Sequence, residues 1–293
     1  MKISYVTTGN ESIASFRYRT LSPAKELRGL GCQTHIDNKA RPDADIVVFS
    51  KHWQYNDWSY AYFCKLRGQK VVFDVCDNHF DSKYSDHYKR MCDVATAVTC
   101  NSEVMAKIIL DKTGREAKVV KDPVLSKRRL YTKQEPKLLW YGQMMNIQGL
   151  FDVYTEGTKW PIEVVVPGPF EPPQYMRDPQ VTWTKWFPDV ISSAAERNSI
   201  ALLPYRQGKD AKSANRVLEA LNSGLYVLAD SIPAVEELDG FGIWDLAFGL
   251  EEGIKYYKDN DLTGEMATAQ RIIDVNYSPQ AIAAEWYKAL SAV

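Results

Sequence analysis

The feature that most constrains this chain is a pattern that runs twice. Short apolar, β-branched runs alternate with stretches of helical periodicity, the alternation lapses once, and it then restarts. In the first pass, residues 2–7, 33–36, 45–50 (DIVVFS), 70–75 (KVVFDV), 95–100 (ATAVTC) and 118–120 read as strands. Residues 16–30, 55–66 and 102–111 read as helices, the last capped by Asn101 or Ser102 with Glu103 in its first turn. In the second pass the strands are residues 137–141 (KLLWY), 162–166 (IEVVV), 181–184, 200–203 and 226–229. Helices near 147–155, 190–198, 213–223 and 250–258 separate or follow them, and a last helix starts at Ser278-Pro279. Apolar strands this short, bridged by helices, predict parallel sheets covered on both faces.

The lapse, KDPVLSKRRLYTKQEP up to Pro136, loses apolar periodicity and is rich in basic residues. The expected organisation is therefore α/β: a first Rossmann-like domain at 1–125, a basic linker at 126–136 and a second domain at 137–275. Residues 276–293 form a C-terminal helix expected to pack back on the first domain. Two doubly wound domains in series predict a cleft where their strand ends face each other, a preferred place for ligands. At 293 residues the length suits two domains.

Other classes are excluded quickly. No run approaches the ~18 apolar residues of a membrane span, and MKISYVTTGN lacks the apolar core of a secretory signal. Five cysteines, an odd number without close pairs, fit a reducing cytoplasm better than a disulfide framework. Lys and Arg outnumber Asp and Glu by 23 to 15 in residues 1–133, and are outnumbered 13 to 22 in residues 134–293. The imbalance reads either as ordinary solvated surface or as a first half that meets an anionic partner.

The most informative segment is PYRQGKDAKSANRVLEALNSGLYVLAD, residues 204–230. Ala214, Val217, Leu218 and Leu221 fall on one side of its helix, and Lys212, Asn215, Arg216, Glu219 and Ser223 on the other. Gly224 stands where a left-handed C-terminal cap would be. Lys212 and Arg216 crowd a helix start, where the dipole already favours anions. With Ser213 and free backbone N–H groups they suit a pyrophosphate, while Glu219, further along the same face, would accept ribose hydroxyls.

This segment resembles the donor-binding signature of GT-B glycosyltransferases, most of all the retaining family-four group. Trp140-Tyr141-Gly142, residues 200–204, Phe16-Arg17-Tyr18-Arg19 with Pro23, and residues 73–80 (FDVCDNHF) share the likeness, which is specific only around 200–230. It implies a GT-B fold and a retaining enzyme whose helix binds the nucleotide diphosphate, with Glu219 on the ribose. Two departures stand out. The family's second glutamate is Ala211 here, and its Arg and Lys after the first strand of the second domain are missing from Gly142-Gln143-Met144-Met145-Asn146-Ile147-Gln148. Phosphate binding then falls to Lys212, Ser213, Arg216, Arg206, with Lys209 in reserve, beside Gly142.

Trp186 and Phe187 would flank a nucleobase or else pack in the core. All four histidines (His35, His52, His79, His87) lie in the first half. His79, just past a strand and near Asp77, is the catalytic candidate with Asp77, against a plain structural role. Asn10, Arg17 and Arg19 are placed on the acceptor side. Asp43-Ala44-Asp45 and Asp259-Asn260-Asp261 are poorly placed as metal sites, and no zinc-like spacing occurs, so no metal and no cofactor beyond the donor substrate is expected. The aromatic stretch at 51–65 and Lys127-Arg128-Arg129 raise DNA as an acceptor beside saccharides and lipid-linked saccharides.

The sequence thus reads as a cytoplasmic glycosyltransferase moving a sugar from a nucleotide diphosphate sugar to a hydroxyl. A nucleotide-sugar epimerase of the same fold and a non-catalytic nucleotide or glycan binder stay open beside it.

Overall fold

The computed structural model describes residues 1–50, 57–155, 158–168, 180–187, 189–205, 213–238 and 240–293. His52, Trp53 and Tyr55 of the aromatic stretch, and Arg206, Lys209, Asp210, Ala211 and Lys212 of the donor motif, lie outside the described residues. The chain divides into two compact units, Met1–Pro123 with Asn276–Val293, and Val124–Val275.

The first unit is built on β1 (Lys2–Val6), β2 (Gln33–Asp37), β3 (Ile46–Ser50), β4 (Lys70–Val75), β5 (Ala97–Cys100) and β6 (Ala117–Val119). They form one parallel sheet in the order β2-β1-β3-β4-β5-β6. Every residue of β3 is buried, as a strand covered on both faces must be. The single helix expected over 16–30 is instead α1 (Ala14–Phe16), a π-turn at Arg17–Leu21, and α2 (Ser22–Gly29). The wider turn changes the helical phase, and Tyr18, Arg19 and Thr20 are all buried. α3 (Asp57–Leu66), α4 (Ser85–Val94) and α5 (Glu103–Thr113) follow. Ser102, not Asn101, caps α5 by accepting from Met105 N at 3.2 Å. The helix α4 escapes a hydrophobic scan because its buried positions are His87, Tyr88, Met91 and Cys92.

The second unit holds β7 (Leu138–Tyr141), β8 (Ile162–Val166), β9 (Val181–Lys185), β10 (Ile200–Leu203), β11 (Tyr226–Ala229) and β12 (Ile243–Asp245). This sheet is also parallel, in the order β12-β11-β10-β7-β8-β9. Its helices are α6 (Ile147–Val153), α7 (Val190–Ala195), α8 (Asn215–Asn222), α9 (Leu250–Asp259) and α10 (Thr263–Asn276). The stretch read as a basic linker lies against this unit. Arg128 pairs with Asp274 at 2.8 Å, Arg129 donates to the Ala195 carbonyl, and Lys127 N donates to Ser192 Oγ at 3.2 Å.

The chain then returns to the first unit as α11 (Pro279–Ser291), capped by Ser278, which accepts from Ala281 N at 3.3 Å. Its Ile282, Trp286 and Leu290 join Ile3, Tyr5 and Leu27 in one core, against α2. Each sheet has one place where the strand order reverses, between β1 and β3 in the first and between β7 and β10 in the second. In open parallel sheets, ligands bind past the carboxyl ends of the strands at that reversal.

Candidate functional site

In the second unit the reversal point is occupied by Arg216, in the first turn of α8. Its Nη1 donates to the Tyr141 carbonyl at 3.3 Å and its Nη2 to the Pro204 carbonyl at 3.4 Å. These carbonyls follow or end β7 and β10, so the guanidinium spans the two central strands. The Tyr205 ring centroid lies 4.5 Å from it. Gly142 is a glycine because the room is taken: a Cβ there would meet Trp140 at 3.2 Å and Arg216 Nη1 at 3.3 Å. Among the described residues no carboxylate pairs with Arg216.

The neighbouring groups are polar and underused. Among the described residues, Asn215 Oδ1 and the Tyr205 hydroxyl are buried without a hydrogen-bond partner, a condition that costs roughly 1–3 kcal/mol per group until something answers it. The N-cap residue of α8 is Ala214, whose side chain offers no cap, and none of the residues in the first turn of α8 is acidic. The Tyr141 hydroxyl donates to the Arg216 carbonyl. Burial and the nearby Glu219 charge hold that phenol well above its ordinary pKa.

Glu219, expected from the sequence to accept ribose hydroxyls, already has backbone partners within its own unit. It is 5% exposed, and its two oxygens accept from Leu125 N at 2.8 Å and Ser126 N at 2.6 Å. Asn222, further along α8, donates to the Ser126 carbonyl at 2.8 Å. The chain at 125–130 therefore lies as a strap over the side of α8 that the sequence pattern left to solvent. Gly224, left-handed at φ +79° as expected, has no space for a side chain beneath Arg129 and Leu130.

The aromatic pair stands on the same carboxyl edge. Trp186 N donates to the Val166 carbonyl at 2.8 Å, extending the ladder past β9, and Phe187 is 45% exposed. Phe187 is thus not a core residue. Two strand spacings separate β7 from β9, about 10 Å. Ser213 precedes α8 and is half-buried.

In the first unit, Asp77 and His79 follow the carboxyl end of β4. The His79 ring stands edge-on to Tyr88 at 5.1 Å and to Tyr84 at 5.6 Å. Asn101, at the end of β5, donates to the Cys76 carbonyl at 3.2 Å, and its Oδ1 is buried without a partner. Neither Asn101 nor Tyr88 was legible as a site residue: Asn101 reads as a candidate cap of α5, and Tyr88 lies on α4, which shows no apolar period. Asn10 and Arg17 lie beyond β1 on the same edge. Asn10 accepts from Ser12, and Arg17 donates to the Glu11 carbonyl at 2.6 Å.

Arg19 does not belong with them. It is fully buried, and its Nε and Nη2 grip Asp74 at 3.1 and 2.5 Å. Its Nη1 reaches Asp122 at 3.1 Å and the Val120 carbonyl, and the Trp286 ring lies 4.9 Å away. Burial alone would lower its pKa; the two carboxylates reverse that and hold it above the ordinary value. The expectation of an acceptor-facing Arg19 is corrected: every donor it has faces inward. Other sequence candidates are likewise engaged. Asp43 pairs with Lys2 and Arg41, Asp261 accepts from Thr263, and burial pushes the Cys92 and Cys100 thiols up to about 12.

No protein-family model matches the sequence, and none of the curated protein sequences compared with it matches. Solved structures do match. A variant of T4 phage BGT in complex with UDP-glucose superposes with a TM-score of 0.65 at 15% identity, over 100% of this chain and 99% of that one. TarM gives 0.64 at 12% identity, over 83% of this chain and 54% of TarM, so the chain spans about half its length. The glycosyltransferase SnogD from Streptomyces nogalater gives 0.55 at 11% identity over the whole of both chains. The fold is therefore GT-B, the two-unit Rossmann-like architecture of glycosyltransferases.

Proposed function

We propose that this chain is a glycosyltransferase moving a sugar from a nucleotide diphosphate sugar to an acceptor hydroxyl, the second unit holding the donor. The observation that carries this reading is Arg216: a guanidinium at the strand-order reversal, bonded to carbonyls and unpaired with any described carboxylate. Backbone dipoles orient such a cation without neutralising it, which leaves its charge for an anion. A diphosphate supplies that anion and grows more negative as the sugar leaves, so the contact strengthens toward the transition state. Ser213 and the backbone N–H groups at the start of α8, where Ala214 is the N-cap residue, add donors, and Gly142 lets the chain approach closely.

Phe187 and Trp186 would stack on the base, and Glu219 would use the lone pairs left over from its backbone bonds to accept from the ribose. Lys212 and Arg206 are assigned to the same diphosphate by sequence alone. In the first unit, Asp77 or His79 would take the proton of the acceptor hydroxyl, with Asn10 and Arg17 nearby in the fold of that unit. The acceptor is a saccharide, free or lipid-linked, or another hydroxyl such as that of a modified base in DNA. Retention and metal independence belong to this reading, the first from the resemblance and the second from the poor placement of the acidic pairs as metal sites.

The test is a panel of nucleotide sugars, with and without acceptors, followed for released nucleoside diphosphate. Release that requires an acceptor supports transfer. Interconversion of sugars with no acceptor makes the protein an epimerase, and binding without consumption makes it a binder. If no nucleoside diphosphate binds by calorimetry, the reading fails.

A further inference from the structure

An outward apolar stripe lies on α3, remote in sequence from every donor-side residue. Ser59, Tyr62, Phe63 and Leu66 follow the i, i+3, i+4, i+7 spacing that buries one side of a helix. Here that side faces outward: Tyr62 and Phe63 are each 50% exposed and Leu66 is 68% exposed. The helix has already buried its other side through Ala61 and Cys64. It therefore carries two apolar sides, and among the described residues only one is covered.

Cations border the outward stripe. Lys65 and Arg67 flank it, and Lys70 follows. Lys65 Nζ donates to the Val94 carbonyl at 3.0 Å, while Arg67 lies over the Phe63 ring at 5.6 Å from its centroid. On the adjoining α4, exposed Arg90 lies over Trp58 at 5.2 Å. The acidic groups nearby are Asp57, at the start of α3, and Asp86 and Asp93 on α4; none stands within the stripe.

We propose that this stripe docks the protein on an anionic lipid surface. Leu66 and the Tyr62 and Phe63 rings give the stripe aliphatic and amphipathic surface suited to acyl chains, while one face each of Phe63 and Trp58 is already covered by a guanidinium. Aromatic and aliphatic side chains bordered by Lys and Arg are what the boundary between acyl chains and anionic headgroups takes up. This inference does not depend on the glycosyltransferase reading.

The experiment is flotation of the full chain with phosphatidylcholine vesicles, with and without phosphatidylglycerol, at low and high salt. The protein should rise with the anionic vesicles, stay down with pure phosphatidylcholine, and release as salt increases. Because the residues are exposed, Phe63→Ser with Leu66→Ser should leave the fold intact and abolish flotation. Arg67→Ala should weaken it about fivefold, the equivalent of one cation near a charged membrane. The proposal is overturned if anionic vesicles do not carry the protein or if the double variant floats as well as wild type. It is equally overturned if the double variant instead loses self-association in sedimentation, or binding to a single-stranded oligonucleotide, while vesicles have no effect.

Discussion

Arg19 and Arg216 look alike in sequence: each is an arginine early in a helical segment, and each was expected to face a ligand. The structure separates them by what answers the charge. Arg19 is enclosed by Asp74 and Asp122 and held over Trp286, so its charge is matched inside the first unit. Arg216 is met by carbonyls and a tyrosine ring, and no described carboxylate matches it. A matched buried cation belongs to the architecture. One met by carbonyl dipoles and a ring keeps its charge, which is why the proposed function gives Arg216 the diphosphate.

The comparison can be broken most sharply at Arg19. Replacing it with alanine strands Asp74 and Asp122 without their cation, and urea denaturation should show a loss of about 3–5 kcal/mol. A near-wild-type midpoint would remove the architectural role. Arg216→Ala should do the opposite, leaving the denaturation midpoint almost unchanged while nucleoside diphosphate affinity by calorimetry falls about tenfold to a hundredfold, the worth of one or two charge-assisted hydrogen bonds. Unchanged affinity would end its assignment to the diphosphate.

Glu219 sharpens the contrast, because the structure gives it an architectural task beside its proposed ribose contact. Glu219→Gln turns an amide toward one of two backbone donors and should cost about 1–3 kcal/mol of stability. Stability and nucleotide affinity are therefore both expected to respond at this position. If stability holds and only nucleotide affinity falls, the strap at 125–126 does not depend on it.

The smallest effect is a pH dependence at Glu163, in the sheet of the second unit. Burial pushes its carboxyl up, but hydrogen bonds from Arg197, Asn198 and Thr184 outweigh that and leave it below the ordinary value. A depressed folded pKa means the stabilisation is complete above the unfolded carboxylate range, about pH 4–5, and is lost as pH falls through the folded value. Thermal melts of wild type should therefore drop more steeply with acid than those of Glu163→Gln. Parallel curves would show that the buried carboxylate contributes nothing specific.

Much of the architecture was legible in the sequence because it is local. Apolar runs such as IVVFS and IEVVV can only be strands buried on both faces, and Ser278-Pro279 and Gly224 mark helix ends through backbone chemistry that needs no tertiary partner. The helix α4 was missed because its inner side is made of His, Tyr, Met and Cys. The three-residue strand β12 was missed because it is too short to show a period. Of the candidate site, Arg216 and Gly142 were visible through the motif they belong to. Tyr205, Asn215 and Asn101 were not, since their interest lies in polar atoms left unanswered after folding.

By itself the sequence determined two parallel α/β units and the helix that gathers cationic and acidic residues near a strand end, since periodicity and caps act over a few neighbours. Tertiary structure alone decided the fate of each charge. Arg19 and Asp74 are 55 residues apart, and Glu219 meets a strap 93 residues away. No short-range pattern encodes such meetings, and the energy of a charge depends on which partners share its low-dielectric surroundings.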